Sequence, residues 1–157
     1  MAINKWLLTS KTEERSTPQY VFNWLNNQFN FTLDPCSTHE NAKCKKHYTK
    51  KEDWLKQDRS QDTVFINPPY WTEIKKRIEK AYITQFESDH EIVMLLPART
   101  DTSRFHNYIY DETKGKAREN TKIYFIKWRL KFWWSENSAP FPSMLVIFND
   151  TKNKFKP

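Results

Sequence analysis

Glycine is almost absent from this chain: Gly115 is the single one in 157 residues. Any cofactor loop that ordinarily depends on glycine for positive φ or for close backbone approach must be built here without it. Long apolar runs are also missing. None approaches the roughly 20 residues that cross a bilayer, so no membrane segment is expected. The opening stretch MAINKWLLTSK has Trp6-Leu7-Leu8 as its main apolar content, which falls short of a secretion signal. With two cysteines and no such signal, the chain reads as cytoplasmic with reduced thiols. Val, Leu and Ala are scarce, yet 16% of the residues are aromatic, so the core is expected to be built on rings.

The charge balance supplies the first positive clue. A net charge of +7 favours an anionic partner, with nucleic acid as the leading class. The length suits one domain spanning 1–157, with polar ends at 1–16 and 149–157 expected to be mobile.

Periodicity supplies the elements. STPQYVFNWLNNQF predicts a helix with Thr17 as its cap, Pro18 in the first turn, and Val21, Phe22, Leu25 and Phe29 on one face. NFTLD (30–34) reads as a short buried strand, followed by Ser37 and Glu40 at the spacing of a capping box. TVFI (63–66) is a second strand. The next helix has Ile74, Ile78, Ala81 and Tyr82 on one side and Lys75, Lys76, Glu79 and Lys80 on the other. EIVMLL (91–96) is a nearly continuous apolar run, as expected of a strand covered on both faces. TDTSRFHNYIY predicts a further helix capped near Thr100 or Asp101. A polar loop over 111–121 separates it from two strands, KIYFIKWRLKF and PSMLVIF, that have no helix between them. This order predicts an α/β fold: a mostly parallel, doubly wound sheet ending in an antiparallel hairpin. Ligands in such sheets bind beyond the C-terminal strand ends, where Asp34, Asn67 and Pro97 all fall.

One strand ends in Asn67-Pro68-Pro69-Tyr70. The two prolines hold φ near −65° and impose a rigid, extended path. The Asn67 side-chain oxygen and the Pro68 carbonyl can then act as two acceptors at fixed spacing, which suits the two hydrogens of a planar amino group. Tyr70 follows as a flat surface for a ring, a contact of about 1–3 kcal/mol per stacked base. An aromatic amine is a poor nucleophile because its lone pair is delocalised; two hydrogen bonds to its protons localise that pair for attack on an electrophilic methyl group. Without context the same tetrad is a proline-rich turn that ends a strand.

The context is a resemblance. STPQYVFNWL, FTLDPCSTHENAKCKKHYT, VFINPPY, VMLLPARTDTSRFH and RLKF…NSAPFPSMLVIF, in this order across roughly residues 9–148, resemble the phage-type (Dam-like) DNA N6-adenine methyltransferase family. The resemblance implies a Rossmann-like class I methyltransferase fold of seven strands, S-adenosylmethionine as methyl donor and DNA as partner. It implies catalytic roles for Asn67, Pro68, Pro69 and Tyr70, with Asn67 and Pro68 holding the N6 amino group of a flipped adenine and Tyr70 stacking on it. Thr17 and Pro18 would lie against the methionine moiety. Asp34 would sit near the donor's amino group, and a helix from Ser37, after Cys36, would offer N–H groups to its carboxylate. Asp53 would hold the ribose and Asp58 would accept from the donor's adenine. Where the family has glycines in the first loop, this chain has Cys36, Ser37 and Thr38; Trp54 and Trp128 also stand at places where the family leads one to expect glycine.

Other patterns compete. Cys36, His39, Cys44 and His47 have a spacing suggestive of zinc. The capping box would start a helix inside that cluster and tight glycine turns are lacking, so packing cysteines and no metal are expected. KWRLKFWW (127–134) alternates, with Lys127, Arg129 and Lys131 facing one way and Trp128, Leu130 and Phe132 forming a core face. Arg129 and Lys131 are candidates for phosphate contact. Trp133 and Trp134 break the alternation, and at least one is a candidate for exposure against DNA. Two further readings use the same residues: methylation of a protein glutamine amide, and a non-catalytic, basic module that binds single-stranded nucleic acid. For the DNA enzyme, only the loop 111–121 and the FWWSENSAPFP segment remain for base reading, so a short or relaxed target is expected.

Overall fold

The computed structural model describes residues 16–70, 73–132 and 137–157. In chain order these form α1 (Gln19–Phe29), β1 (Leu33–Asp34), β2 (Lys46–His47), β3 (Val64–Ile66), α2 (Ile74–Thr84), β4 (Ile92–Pro97), α3 (Ser103–Tyr108), β5 (Tyr110–Asp111), β6 (Lys116–Ala117), β7 (Thr121–Phe125) and β8 (Ser143–Phe148). The fold is mixed α/β around one mostly parallel sheet of order β2-β1-β3-β4-β8-β7. The first four strands run parallel, whereas β8 lies antiparallel between β4 and β7.

Register decides which side chains share a face. Phe65 lies opposite Val93, and Val93 opposite Ile147. This face receives α1, whose Phe22 meets Phe65 edge-on at 5.3 Å and whose Trp24 meets Tyr124 at 6.0 Å. On the other face Phe148 meets Tyr82 of α2 at 6.5 Å. Covered from both sides, every residue of β4 and β8 is buried, which accounts for their unbroken apolar sequence. The aromatic core expected from composition is present along α1, where Phe22, Phe29, Phe31, Phe65 and Phe155 form a continuous set of ring contacts.

Several expectations are corrected. Pro18, not Thr17, is the cap of α1: its carbonyl accepts from Val21 and Phe22 N–H, and no side chain contributes a cap bond. No helix starts at Ser37. The Asp34 carboxylate instead accepts from the backbone N–H of Cys36 and Lys43, which wraps residues 35–45 into turns around it. The cap of α3 is Thr102, one or two residues beyond the expected position. The loop 111–121 is entered and left by a small antiparallel ribbon, β5–β6. The principal sheet has six strands among the described residues, against the seven implied by the resemblance. The strand expected through Phe132 ends at Phe125, and Trp128 turns the chain with φ +67°. Trp128 is therefore 79% exposed, while Leu130 and Phe132 do enter the core.

The tail, which composition reads as mobile, packs. Phe155 is buried against Trp24, Phe29 and Tyr124, and Lys154 pairs with Glu91 at 2.8 Å. Left-handed backbone positions that would ordinarily take glycine are filled mainly by asparagine: Asn30, Asn120, Asn149 and Asn153 all have positive φ. Among the described residues, no helix is long and apolar enough to cross a membrane.

Candidate active site

From β1 the sheet grows outward to β2 on one side, and the chain then returns to lay β3 on the other. That reversal opens a crevice beyond the C-terminal ends of β1 and β3, the place where doubly wound sheets bind ligands. A cavity of about 880 Å³ occupies it, a size suited to a small molecule. Asp34 ends β1 and Asn67 follows β3, so the two strands deliver both to one space. Of the residues expected at the site, Thr17, Asp34, Cys36, Ser37, Asp53, Asn67 and Pro69 line the cavity. Pro18 and Pro68 are buried beside it and do not line it.

Asn67 Nδ2 donates to Thr17 Oγ1 at 3.0 Å, which orients the amide plane. Tyr70 is 4% exposed, and its ring meets Phe141 at 5.2 Å and Phe132 at 6.2 Å, both edge-on. In this packing the Tyr70 ring is almost fully enclosed.

The Asp34 carboxyl is buried, and desolvation pushes it above the ordinary carboxylate range although the Lys43 and Cys36 N–H groups favour its ionised form. Its two donors lie at 2.9 Å and 3.3 Å, so Asp34 works first as the hub of the turn that follows it. Asp53 adopts φ +50°, and its side chain accepts from Leu55 N–H to start a short 3-10 turn over Trp54–Lys56. Glu73, at the start of α2, also has positive φ, +59°. Both strained acids line the cavity, a placement common at functional sites. Asp58 does not reach it: the carboxylate is fully exposed, accepts from Ser60 N–H and Oγ, and is held below the usual range by those bonds.

The sequence reading missed Arg77. It lies on the buried side of α2 with Ile74, Ile78 and Ala81, and lines the cavity. An arginine at the helical spacing of an apolar stripe was a visible signal. Its Nη1 donates to Cys36 Sγ at 3.1 Å. Burial pushes the Cys36 thiol up to about 12, so this partner is neutral. Among the described residues, Cys36, His39, Cys44 and His47 form no group of three or more that could hold a metal ion; Cys36 is engaged by Arg77, and His39 Nδ1 lies 2.8 Å from His47 Nε2.

Of the DNA-contact candidates, Arg129 and Lys131 are exposed, and Lys127 lies over the exposed Trp128 ring at 5.1 Å. Trp133 and Trp134 lie outside the described residues. Phe132, next to Lys131, ties this basic segment to Tyr70.

Comparison with known proteins bears on the family of the chain. Over 95 residues the chain is 35% identical to the DNA N-6-adenine-methyltransferase of Escherichia phage T1, a match covering 57% of this chain and 38% of that protein. The aligned part thus spans well under half the length of this curated relative. A family model for DNA N-6-adenine-methyltransferase (Dam) matches residues 6–156. With nearly its whole length matched, the chain belongs to the DNA N-6-adenine-methyltransferase (Dam) family.

Proposed function

We propose that this protein is a DNA adenine-N6 methyltransferase of the Rossmann-like class I type, using S-adenosylmethionine. The observation that carries the reading is the placement of the Asn67-Pro68-Pro69-Tyr70 tetrad beside a cavity at the switch point of the sheet. The cavity's residues suit the donor: buried polar atoms Ser37 Oγ and Arg77 Nε on its wall lack hydrogen-bond partners among the described residues, and Asp53 presents an acid at the C-terminal side of β2. When bound, S-adenosylmethionine supplies an electrophilic methyl group.

The chain's own residues do the rest. The target adenine leaves the stack, because its amino group is out of reach inside a duplex. Asn67 Oδ1 and the Pro68 carbonyl accept its two amino protons, and the Thr17 hydroxyl holds the Asn67 amide in that orientation. Tyr70 supports the base from its face. The nitrogen that gains the methyl is left cationic and releases a proton to water, so no side-chain base is required. The work is positional, and holding reacting groups in line accounts for a large share of such barriers. The positive net charge favours DNA over a protein amide as substrate.

Incubation with labelled S-adenosylmethionine and DNA, followed by nucleoside analysis, tests this. N6-methyladenine is the expected product. Label found only in protein, or DNA binding with no thermal stabilisation by the donor, would replace the reading by one of its alternatives.

A further inference from the structure

Among the described residues, Arg77 is a buried cation without a tight anionic partner. The residue is 7% exposed. Its Nη1 is given to a neutral thiol, its Nη2 lies 3.7 Å from Glu73, whose side chain is half in solvent, and its Nε has no partner among the described residues. Burying a guanidinium costs heavily unless charged hydrogen bonds offset the loss of water, and a carboxylate is the group that matches its fork. Beside it, Ser37 Oγ is likewise buried and unpartnered, and both residues line the same cavity.

The backbone donors that would ordinarily receive an amino-acid carboxylate here are committed. Cys36 N–H and Lys43 N–H are given to Asp34, and Ser37 N–H to the Tyr48 carbonyl. No helix starts at Ser37 to supply others. The remaining cations on the wall suit the role less well. Lys43 is occupied by Gln19 at 2.9 Å, and Lys50 and Lys51 are solvated. We infer that Arg77, assisted by the Ser37 hydroxyl, forms the subsite that takes the carboxylate of the methyl donor, replacing backbone amides that this glycine-poor loop has already used. This rests on the cavity being the donor site. Arg77 then acts in binding and does not touch the transferring methyl group.

Isothermal titration of the full-length protein with S-adenosylmethionine and with its decarboxylated form isolates the carboxylate, since the two share the amine, sulfonium and adenosine. The wild type is expected to favour the carboxylated compound at least tenfold. In Arg77→Met that preference falls to within about twofold, through weaker binding of S-adenosylmethionine alone; Ser37→Ala lowers it severalfold, and Lys43→Met leaves it unchanged. A preference that survives Arg77→Met, an equal loss for both compounds, or a collapse in Lys43→Met overturns the assignment. Should Arg77→Met fail to fold, Arg77→Lys keeps the charge and loses the fork: a preference reduced severalfold supports the subsite, and an unaltered one overturns it. A wild type that binds both compounds equally removes the subsite and leaves the donor site standing. One that binds neither removes both.

Discussion

Asn67 and Thr17, fifty residues apart in sequence, are joined by a 3.0 Å hydrogen bond that runs from the amide Nδ2 to the hydroxyl. The bond distinguishes the two ends of the amide and turns Oδ1 away from Thr17. The threonine before α1 therefore does for the tetrad what it does not do for its helix. Replacing Thr17 by Val removes the acceptor at nearly constant volume. A hydrogen bond of this kind is worth about 0.5–1.5 kcal/mol, so methyl transfer should slow by roughly two- to tenfold. Thr17→Ser should recover most of the rate. Turnover measured alongside donor affinity checks this, and an effect confined to affinity would place Thr17 against the donor only.

Asn67→Ala should remove the acceptor itself. We expect methyl transfer to fall by more than tenfold, a barrier increase of at least ~1.4 kcal/mol, with donor affinity and melting temperature nearly unchanged. Residual activity above about a tenth would assign the amino group to other acceptors.

Tyr70 has a core role as well as the proposed contact with the base, because Phe132 and Phe141 pack on it. Tyr70→Phe should keep substantial activity and Tyr70→Ala should lose most of it, together with several kcal/mol of stability, about 3–5 by analogy with other large aromatic truncations. Melting curves separate the two losses. If Phe proves as damaging to turnover as Ala, the hydroxyl has a chemical part to play.

Arg129 and Lys131 are exposed on the segment that leads to Phe132. If they meet DNA phosphates, the double Ala variant should weaken binding similarly for all sequences and reduce the slope of log affinity against log salt by about two. Fluorescence anisotropy over a salt series measures it. An unchanged slope would make them a solvated face.

What could be read in the sequence was whatever depended on local pattern. The stripe of α2 and the unbroken apolar run of β4 follow from period and burial, and they appear at nearly the expected residues. The tetrad at the end of β3 was legible for the same reason: two prolines end a strand wherever they stand. The turn after β1 was not, because the outcome there is a competition. Ser37 and Glu40 have helix-capping spacing, but the buried Asp34 carboxylate captures the Cys36 and Lys43 N–H groups, and that depends on Lys43 folding back across nine residues. The alternation through KWRLKF was equally persuasive and failed at one residue, where Trp128 takes a left-handed conformation that no local signal announces. Arg77 was visible as a charged intruder in an apolar stripe, although its meaning required the cavity.

The near absence of glycine reaches beyond the native state. A chain with a single glycine samples fewer backbone conformations when unfolded, so it loses less entropy on folding. Against this stands the steric cost of holding Asn30, Asn120, Asn149 and Asn153 at positive φ, a region that asparagine visits more readily than most residues. The two terms oppose each other at every such position. Replacing Asn30 by Gly should relieve the strain at the end of α1 while enlarging the denatured ensemble, leaving stability within about 1 kcal/mol of the parent. Part of the stability of this fold is thus set in the unfolded chain, by conformations that it does not sample.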